Sequence, residues 1–322
     1  MKVYENISLK SHNTFGIDVK ARRLVVVGTD EPLPALEEPY LILGAGSDVV
    51  FTRDYPGTVV LLDPAAADAV LQADGTVVAP AGMVLDSLIQ WTLERGVYGL
   101  ENLSAIPGTV GASVVQNVGA YGVEAKDVVS RVEAYDLRER RTVAFSADEC
   151  RFGYRTSLFK GEPGRWLIRR VHYRLAHTFE PNLTYRTLEA LPHATAAELR
   201  QSITDLRWSK LPRPEEHGSA GSFFKNPVVD ESVCRRLKAE YPDMPEAHAA
   251  EGGYKLSAGW LIDRAGWKGR TMGRAGVWPQ NALVLYNTGG CTGAEVVTLA
   301  EAVRQDVQRR FGIGLEPEAI IV

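Results

Sequence analysis

The chain has 322 residues, of which 45% are hydrophobic and 24% are charged, and its formal net charge is -4. This composition is ordinary for a globular protein of two or three domains. The acidic balance, with a pI of about 5.9, argues against a general nucleic-acid binder, whose binding surface would be basic.

Targeting and metal signals are lacking in the sequence. No apolar run approaches the length of a membrane span, and the N-terminal residues lack the apolar core of a signal peptide. We therefore expect a cytoplasmic protein without a membrane partner. The three cysteines are widely spaced and the six histidines form no cluster. We predict reduced thiols and no metal site.

The N-terminal third is predicted to be a mixture of short strands and one helix. Apolar or β-branched runs bounded by turn residues predict strands at 23–27, 40–43, 49–51, 59–62 and 76–79. The second run leads into a G-A-G-S-D turn, which could approach a phosphate, although a tight hairpin turn is the better interpretation of a lone G-x-G. Apolar residues at helical spacing predict an amphipathic helix over 84–95, ended by Gly96.

The stretch from Glu101 to Gly122 contains four glycines and a proline among small and β-branched residues. This density forbids a long regular element. Because glycine lets backbone N–H groups approach a ligand closely, the stretch indicates a loop that cradles a phosphate-bearing cofactor. A glycine-rich turn packed between strands explains the same residues equally well.

The remaining elements indicate an α+β fold, since strands and helices do not alternate strictly. Strands are predicted at 132–135, 141–145, 166–175 and 281–286. Proline and polar residues dominate 176–215, where we place the start of a C-terminal domain. Helices are predicted over 232–240 and over 292–310, the second with a T-x-x-E capping box and with Gly312 behind it.

Three residues stand out chemically, and two of them have a plain structural alternative. Arg155 could be a fixed cation for a carboxylate, or it could only lie over Phe152 and Tyr154. Ser222 lacks a G-x-S-x-G elbow, so it is a candidate proton donor or a turn cap. Glu318, beside an apolar C-terminal run, is a candidate functional carboxylate, because burial of a charge is costly.

Lysines 210 and 268 each lie beside turn-forming residues. Either could clamp a diphosphate, and either could be an ordinary surface lysine.

Motifs in one order along nearly the whole chain resemble the UDP-N-acetylenolpyruvoylglucosamine reductase family. They are S-x-x-x-x-N-T-F-G (8–16), L-I-L-G-A-G-S-D (41–48), G-L-E-N-L-S-A-I-P-G-T-V-G-A (99–112), Q-N-V-G-A-Y-G (116–122), C-R-F-G-Y-R-T-S-L-F-K (150–160), A-G-S-F-F-K-N-P (220–227), A-G-W-L-I-D (258–263) and L-E-P-E (315–318). The segment N-L-T-Y (182–185) resembles the tyrosine-bearing substrate loop of the family's first subtype.

The resemblance implies a two-lobed FAD-binding region of the vanillyl-alcohol-oxidase-like (PCMH) type, with lobes at 1–57 and 58–205, and a C-terminal α+β substrate-binding domain at 206–322. FAD would be held noncovalently, with NADPH as hydride donor. The implied cofactor-binding residues are Gly44, Ala45, Gly46, Ser47, Asp48, Ile106, Pro107, Gly108, Gly111, Ala112, Asn117, Gly119, Ala120, Tyr121 and Gly122. Asp48 stands where the family usually has asparagine.

The resemblance also implies the roles of the reactive residues. Arg155 and Glu318 would stabilise an enolate, and Ser222 would protonate it. Tyr185, Lys210, Asn226 and Lys268 would bind a UDP-sugar. The implied protein is a monomer that reduces the enolpyruvyl group of that sugar in peptidoglycan precursor synthesis.

Two other functions fit the same fold. One is a flavin oxidase of small hydroxy acids, against which the motifs around Ser222, Glu318 and Tyr185 argue. The other is a catalytically silent flavin or UDP-sugar binding module, which would not need a proton donor.

Overall fold

The computed structural model describes residues 1–185, 188, 195–249 and 252–322. The chain forms two compact units, each assembled from three segments. The first comprises Met1–Ile7, Ala21–Ala45 and Pro56–Arg207, and the second comprises Ser8–Lys20, Gly46–Tyr55 and Trp208–Val322. The division into 1–57, 58–205 and 206–322 stays a prediction.

The strands are numbered in chain order. They are β1 (Lys2–Ser8), β2 (Lys20–Val27), β3 (Tyr40–Ile42), β4 (Val49–Val50), β5 (Tyr55–Leu62), β6 (Val70–Leu71), β7 (Thr76–Pro80), β8 (Gly119–Ala120), β9 (Val123–Glu124), β10 (Val129–Asp136), β11 (Arg141–Ser146), β12 (Trp166–Arg174), β13 (Ser219–Ser222), β14 (Val228–Val229), β15 (Glu246–His248), β16 (Tyr254–Leu256), β17 (Thr271–Met272), β18 (Ala275–Val277), β19 (Val284–Asn287) and β20 (Ile320–Ile321).

The helices are α1 (Leu85–Leu93), α2 (Val110–Val115), α3 (Leu158–Gly161), α4 (Ala196–Lys210), α5 (Glu231–Glu240), α6 (Ala258–Arg264) and α7 (Gly293–Phe311). Short 3-10 turns cover Lys10–His12, Glu101–Leu103 and Ala125–Asp127.

The first unit is built on two sheets. One has the order β1-β2-β5-β3, and the other has the order β11-β10-β12-β7-β6. The strands of the second sheet pair antiparallel, whereas β3 and β5 pair parallel. Helices α1 and α2 contribute to the main core of this unit, in which Leu85, Leu88, Ile89, Val110 and Val114 are buried. Leu85, Leu88 and Ile89 share one face, as the predicted amphipathic spacing requires.

The second unit contains the sheet β13-β19-β18-β17, the small sheet β14-β16-β15 and the parallel pair of β4 with β20. Helix α7 buries Val296, Leu299, Val303 and Val307. The predicted capping box is confirmed, because Thr292 accepts from the N–H of Glu295 while the side chain of Glu295 bonds back. Gly312 ends the helix in the left-handed conformation, with φ of 72°.

The α+β class is confirmed, and most predicted elements are present with ends shifted by a few residues. One prediction was partly wrong, because residues 281–283 form the turn before β19 rather than its first half. Helix α4 was missed within the stretch 176–215. Prolines 212 and 214 follow this helix without interrupting it, so the prolines mark its end and not an irregular segment.

Candidate active site

The glycine-rich stretch of the first unit is an irregular loop interrupted by one short helix. Thr109 caps α2, its hydroxyl accepting from the N–H of Ala112 at 3.3 Å. Strands β8 and β9 then form a hairpin whose turn, Tyr121 and Gly122, has φ angles of 50° and 86°. The prediction that no long regular element forms here is therefore confirmed.

Within the first unit, the start of the G-A-G-S-D turn contacts the glycine-rich loop at Gly44. A Cβ atom added there would lie 2.8 Å from the Cβ of Ala112 and 3.0 Å from the hydroxyl of Thr109. Gly111 is equally tight, since its Cβ would lie 2.8 Å from the Cβ of Ala81. The missing side chain of Gly44 thus lets its backbone approach the start of α2.

These stretches form a cradle that fits a flavin nucleotide. Pro107 is exposed, and Ala45, Ile106, Gly108 and Ala112 are partly exposed, so backbone groups of both stretches line an accessible surface. Side chains at the glycines would fill the cradle, and closely spaced backbone groups are the means by which proteins hold phosphates. The accessible backbone and the lack of side chains at the glycines are therefore compatible with FAD.

Asn117 is buried and bonds to protein groups through both ends of its amide. Its nitrogen donates to the side chain of Glu124 at 3.1 Å and to the carbonyl of Gly153 at 3.0 Å, and its oxygen accepts from the N–H of Lys126 at 2.9 Å. It is held at a φ of 47°. Its side chain therefore fastens the turn before Arg155 to the β8–β9 hairpin.

Arg155 lies beside that hairpin. Its guanidinium donates to the carbonyl of Gly119 at 2.9 Å and lies 5.3 Å from the ring centre of Tyr154. A φ of 56° places its backbone in a region that residues other than glycine occupy at a cost. Both interpretations of Arg155 find support, because the cation is held in place and also lies near an aromatic ring.

The predicted substrate residue Tyr185 contacts the predicted cofactor residue Tyr121. Their rings meet edge to face, with centres 5.1 Å apart. Burial raises the pKa of Tyr121 above its ordinary value, and the hydrogen-bonded cation of Arg207 opposes part of that rise. Tyr185 itself is exposed. The remaining hairpin residue, Ala120, is partly exposed beside them.

The second unit brings Ser222 and Glu318 together through the backbone. The N–H of Glu318 donates at 2.8 Å to the carbonyl of Phe223, the residue after Ser222. Both predicted residues are partly buried. The carbonyl of Asp48 accepts from Ile320 at 2.8 Å, so the turn Gly46-Ser47-Asp48 is joined to the same C-terminal strand.

Gly46 is also packed tightly in this unit. It has a φ of 64°, and a Cβ there would lie 2.2 Å from the carbonyl oxygen of His12. The carbonyl of Gly46 accepts from the N–H of Thr14 at 3.1 Å. The Thr14 hydroxyl in turn donates to the carbonyl of Ser219 at 2.7 Å, at the start of β13. Thr14 therefore joins the glycine turn to the strand that ends at Ser222.

The predicted substrate residues of the second unit lie in three different local environments. Asn226 accepts from the N–H of Ala258 at 3.0 Å and so begins α6. Lys268 is exposed and lies 3.3 Å from a carboxylate oxygen of Asp263. Lys210 is the last, partly buried residue of α4. Arg155 and Tyr185 belong to the first unit, so the predicted site residues are divided between the two units.

Some residues that hold the loop beside the predicted cofactor residue Ile106 were not predicted from the sequence. Asp86 accepts from the N–H of Ala105 at 2.7 Å and from both terminal nitrogens of Arg200, at 2.6 and 2.8 Å. Arg207 donates to the carbonyl of Ala105 at 3.2 Å. Thr14 lies within the S-x-x-x-x-N-T-F-G motif. Arg200 and Arg207 carried no sequence signal, because the helix to which they belong, α4, was not predicted.

Within residues 1–185, 188, 195–249 and 252–322, no group of three or more His, Cys, Asp or Glu side chains is arranged to hold a metal ion. The same part of the chain contains no helix long and apolar enough to cross a membrane. Cys150, Cys234 and Cys291 are free and buried.

Comparison with known proteins identifies the class first. Residues 33–141 match the model of an FAD binding domain, which includes the Gly44 turn and the glycine-rich loop. Residues 213–322 match the C-terminal domain of UDP-N-acetylenolpyruvoylglucosamine reductase. The chain is therefore an FAD-binding protein with an additional C-terminal domain. The predicted fold, an FAD-binding region followed by a C-terminal α+β domain, is confirmed.

Full-length relatives then identify the family. The chain is 46% identical to UDP-N-acetylenolpyruvoylglucosamine reductase of Pseudomonas aeruginosa, over 99% of this chain and 98% of the relative. It is 44% identical to the enzyme of that name from an Azoarcus species, over 96% and 95% of the two chains. The crystal structure of the Thermus caldophilus reductase matches with a TM-score of 0.72 and 27% identity, over 100% of this chain and 99% of that one. The chain belongs to the UDP-N-acetylenolpyruvoylglucosamine reductase family.

Proposed function

We propose that this protein uses FAD and NADPH to reduce the enolpyruvyl group of UDP-N-acetyl-3-O-(1-carboxyvinyl)-glucosamine to UDP-N-acetylmuramate, in peptidoglycan precursor synthesis. The carrying observation is the backbone bond of Glu318 to Phe223, which holds the backbone of Glu318 beside the residue that follows Ser222, in a chain of this family. An oxidase or a silent binding module has no need of that pairing.

The cofactor would be held by backbone of the two glycine-containing stretches. In the first unit these are Gly44–Ala45 and the loop 106–121, and in the second unit they are Gly46–Asp48. The side chain of Asp48 must turn away from any phosphate or be hydrogen-bonded by a donor, because a carboxylate repels an anion. When bound, FAD supplies the hydride transfer, taking two electrons from NADPH and passing them to the substrate.

The protein's own residues manage the negative charge and the proton. Hydride addition at the methylene carbon leaves negative charge on the adjacent carbon and its carboxylate. Arg155 and Glu318 stabilise that enolate, and Arg155 does so by its fixed positive charge. The hydroxyl of Ser222 then gives its proton to the carbon, which completes the saturated product.

The UDP end of the substrate is assigned to Tyr185, Lys210, Asn226 and Lys268. Lysine ammonium groups pair with phosphate as point charges, and an exposed tyrosine ring offers an apolar face beside a polar hydroxyl. We further propose that the protein acts as a monomer in the cytoplasm. We also propose that it binds no nucleic acid, because its net charge is -4.

One experiment tests the reaction. The purified holoenzyme is reduced anaerobically with NADPH, and the enolpyruvyl sugar is added while flavin absorbance is followed. We expect the flavin to be bleached and then reoxidised with formation of UDP-N-acetylmuramate. Flavin that stays reduced contradicts the proposal. In a separate aerobic assay, rapid oxygen consumption without the sugar would favour an oxidase.

A further inference from the structure

The segment Asn182–Tyr185 lies against the turn of the β8–β9 hairpin. A Cβ atom added to Gly122 would lie 2.2 Å from the hydroxyl of Thr184, far inside contact distance. Gly122 also has a φ of 86°, where residues with a side chain are strained. The space that glycine leaves open at this position is therefore occupied by the tyrosine-bearing segment.

The buried residue Asn102 is hydrogen-bonded both to the hairpin turn and to the segment Asn182–Tyr185. It is only 2% exposed, and its amide nitrogen donates to the carbonyl of Tyr121 at 2.8 Å and to the carbonyl of Asn182 at 2.9 Å. An amide nitrogen has two hydrogens, so both are used, one for each segment. A carbonyl left without such a donor in a buried place is costly.

The tyrosine-bearing segment is also ordered internally. The side-chain oxygen of Asn182 accepts from the N–H and from the hydroxyl of Thr184, at 3.1 and 2.7 Å, and its nitrogen donates to the carbonyl of Gly122 at 3.4 Å. This local turn aims the ring of Tyr185 at Tyr121, 5.1 Å away between centres. The position of Tyr185 is thus set by a group of contacts on the turn of the hairpin.

We propose that Gly122 and Asn102 are positioning residues for the UDP-sugar, which act by seating the Tyr185 segment on the hairpin. This inference rests on the proposed function, because it takes Tyr185 as a contact of the substrate. It assigns Gly122 to the substrate segment instead of to the cofactor. Neither residue takes part in proton transfer, so both act on substrate affinity.

The test uses a steric clash and its relief. Gly122→Ala places a methyl group where the Thr184 hydroxyl lies, so we expect the KM for the enolpyruvyl sugar to rise by about tenfold to a hundredfold. The dissociation constant of UDP, titrated calorimetrically into the oxidised holoenzyme, should rise in parallel. Adding Thr184→Ala removes the hydroxyl and leaves the side-chain oxygen of Asn182, at 3.4 Å, as the nearest atom, so the double variant should regain most of the affinity.

A second variant and a control make the outcome decisive. Asn102→Ala should raise the same two constants while the amount of bound FAD stays that of the parent protein. Gly164→Ala, at a φ of 76° with its nearest neighbour 3.7 Å away, carries similar backbone strain without a clash and should leave the KM unchanged.

Two results would overturn the inference. One is an unchanged KM and UDP affinity in Gly122→Ala and Asn102→Ala, and the other is loss of FAD from these variants, which would make Gly122 part of the cofactor site. If the parent protein itself fails to reoxidise with the sugar, the proposed function fails first, and the UDP titration still reports on the seating of the segment.

Discussion

The backbone N–H of Glu318 donates to the carbonyl oxygen of Phe223 across 2.8 Å. An antiparallel bridge between Phe224 and Pro317 extends this pairing. The C-terminal L-E-P-E motif is thereby fixed beside the end of β13. Two residues nearly a hundred positions apart, Ser222 and Glu318, are in this way held by backbone geometry, which side-chain motion does not disturb.

Ser222→Ala should separate the two half-reactions. The hydroxyl is assigned only to protonation of the substrate, so flavin reduction by NADPH should keep its rate. Reoxidation by the enolpyruvyl sugar should slow by about 10²–10⁴-fold, the usual contribution of a general acid. Stopped-flow absorbance of the flavin measures both steps separately.

Ser130→Ala is the matched control, because Ser130 is a partly buried serine on β10 whose hydroxyl donates to the carbonyl of His172 at 3.2 Å. It should change neither step. An equal loss of both half-reactions in Ser222→Ala would show that this serine is structural.

Thr14→Val should destabilise the protein, because it removes the hydroxyl that donates to the carbonyl of Ser219 at 2.7 Å. Loss of such a bond, with its acceptor left in a partly buried place, costs about 1–2 kcal/mol. We expect a lower midpoint of urea unfolding, and Thr14→Ser should restore most of it.

The control for this change is Thr92→Val. Thr92 is only 1% exposed and so is buried more deeply than Thr14, but its hydroxyl donates at 2.8 Å to a carbonyl within its own helix, which needs no second donor. This variant should be nearly as stable as the parent. A Thr14→Val protein with an unchanged midpoint would show that the join between the glycine turn and β13 adds nothing to stability.

Much of the fold was predictable because local patterns carry it. The capping box of α7 and the glycine behind it are local signals, and both ends of that helix lie within one residue of the prediction. The strands predicted at 132–135 and 166–175 likewise lie within β10 and close to the bounds of β12. Such elements are specified by residues that lie next to one another in the sequence.

The rest depended on long-range contacts that no local pattern contains. The parallel pairing of β20 with β4 joins Ile320 to Val49, and it explains why residues 46–55 belong to the second compact unit. The role of Asn102 was likewise invisible, because its partners Tyr121 and Asn182 are distant in sequence. The motifs led to the predicted site residues, whereas the contacts that hold those residues are visible only in the structure.

Asp136 should make stability depend on pH in the acid range. Its side chain is fully buried, and its carboxylate accepts from Arg165 at 2.8 Å. Burial alone would raise the pKa of Asp136, but the hydrogen bonds from Arg165 and from the N–H groups of Glu139 and Arg138 outweigh it, so the pKa is lowered. The unfolded chain therefore binds a proton more readily than the folded one.

The stabilisation from Asp136 is consequently complete above the unfolded pKa of about 4, and it is lost as pH falls through the lower folded value. Asp136→Asn should cost about 1–3 kcal/mol at pH 7 and should flatten the loss of stability between about pH 4 and pH 2. Urea unfolding at several pH values measures the difference, and two parallel curves would contradict the assignment.

Gly44→Ala should weaken FAD binding. The added methyl carbon would lie 2.8 Å from the Cβ of Ala112, so the turn and the start of α2 must move apart by several tenths of an ångström. Backbone contacts to a phosphate depend on such distances, and we expect the FAD dissociation constant to rise about tenfold to a hundredfold. Fluorescence titration of the apoprotein with FAD gives the constant directly.

Ala112→Gly offers the matching rescue, because it removes the atom that the new methyl group meets. The double variant should bind FAD more tightly than Gly44→Ala alone, although the Thr109 hydroxyl, 3.0 Å from the added carbon, limits the recovery. Gly161→Ala, which has no atom within 4 Å of an added Cβ, should bind FAD as the parent does. If Gly44→Ala binds FAD as tightly as Gly161→Ala, then the close packing of this turn on α2 serves the fold of the first unit and not the cofactor.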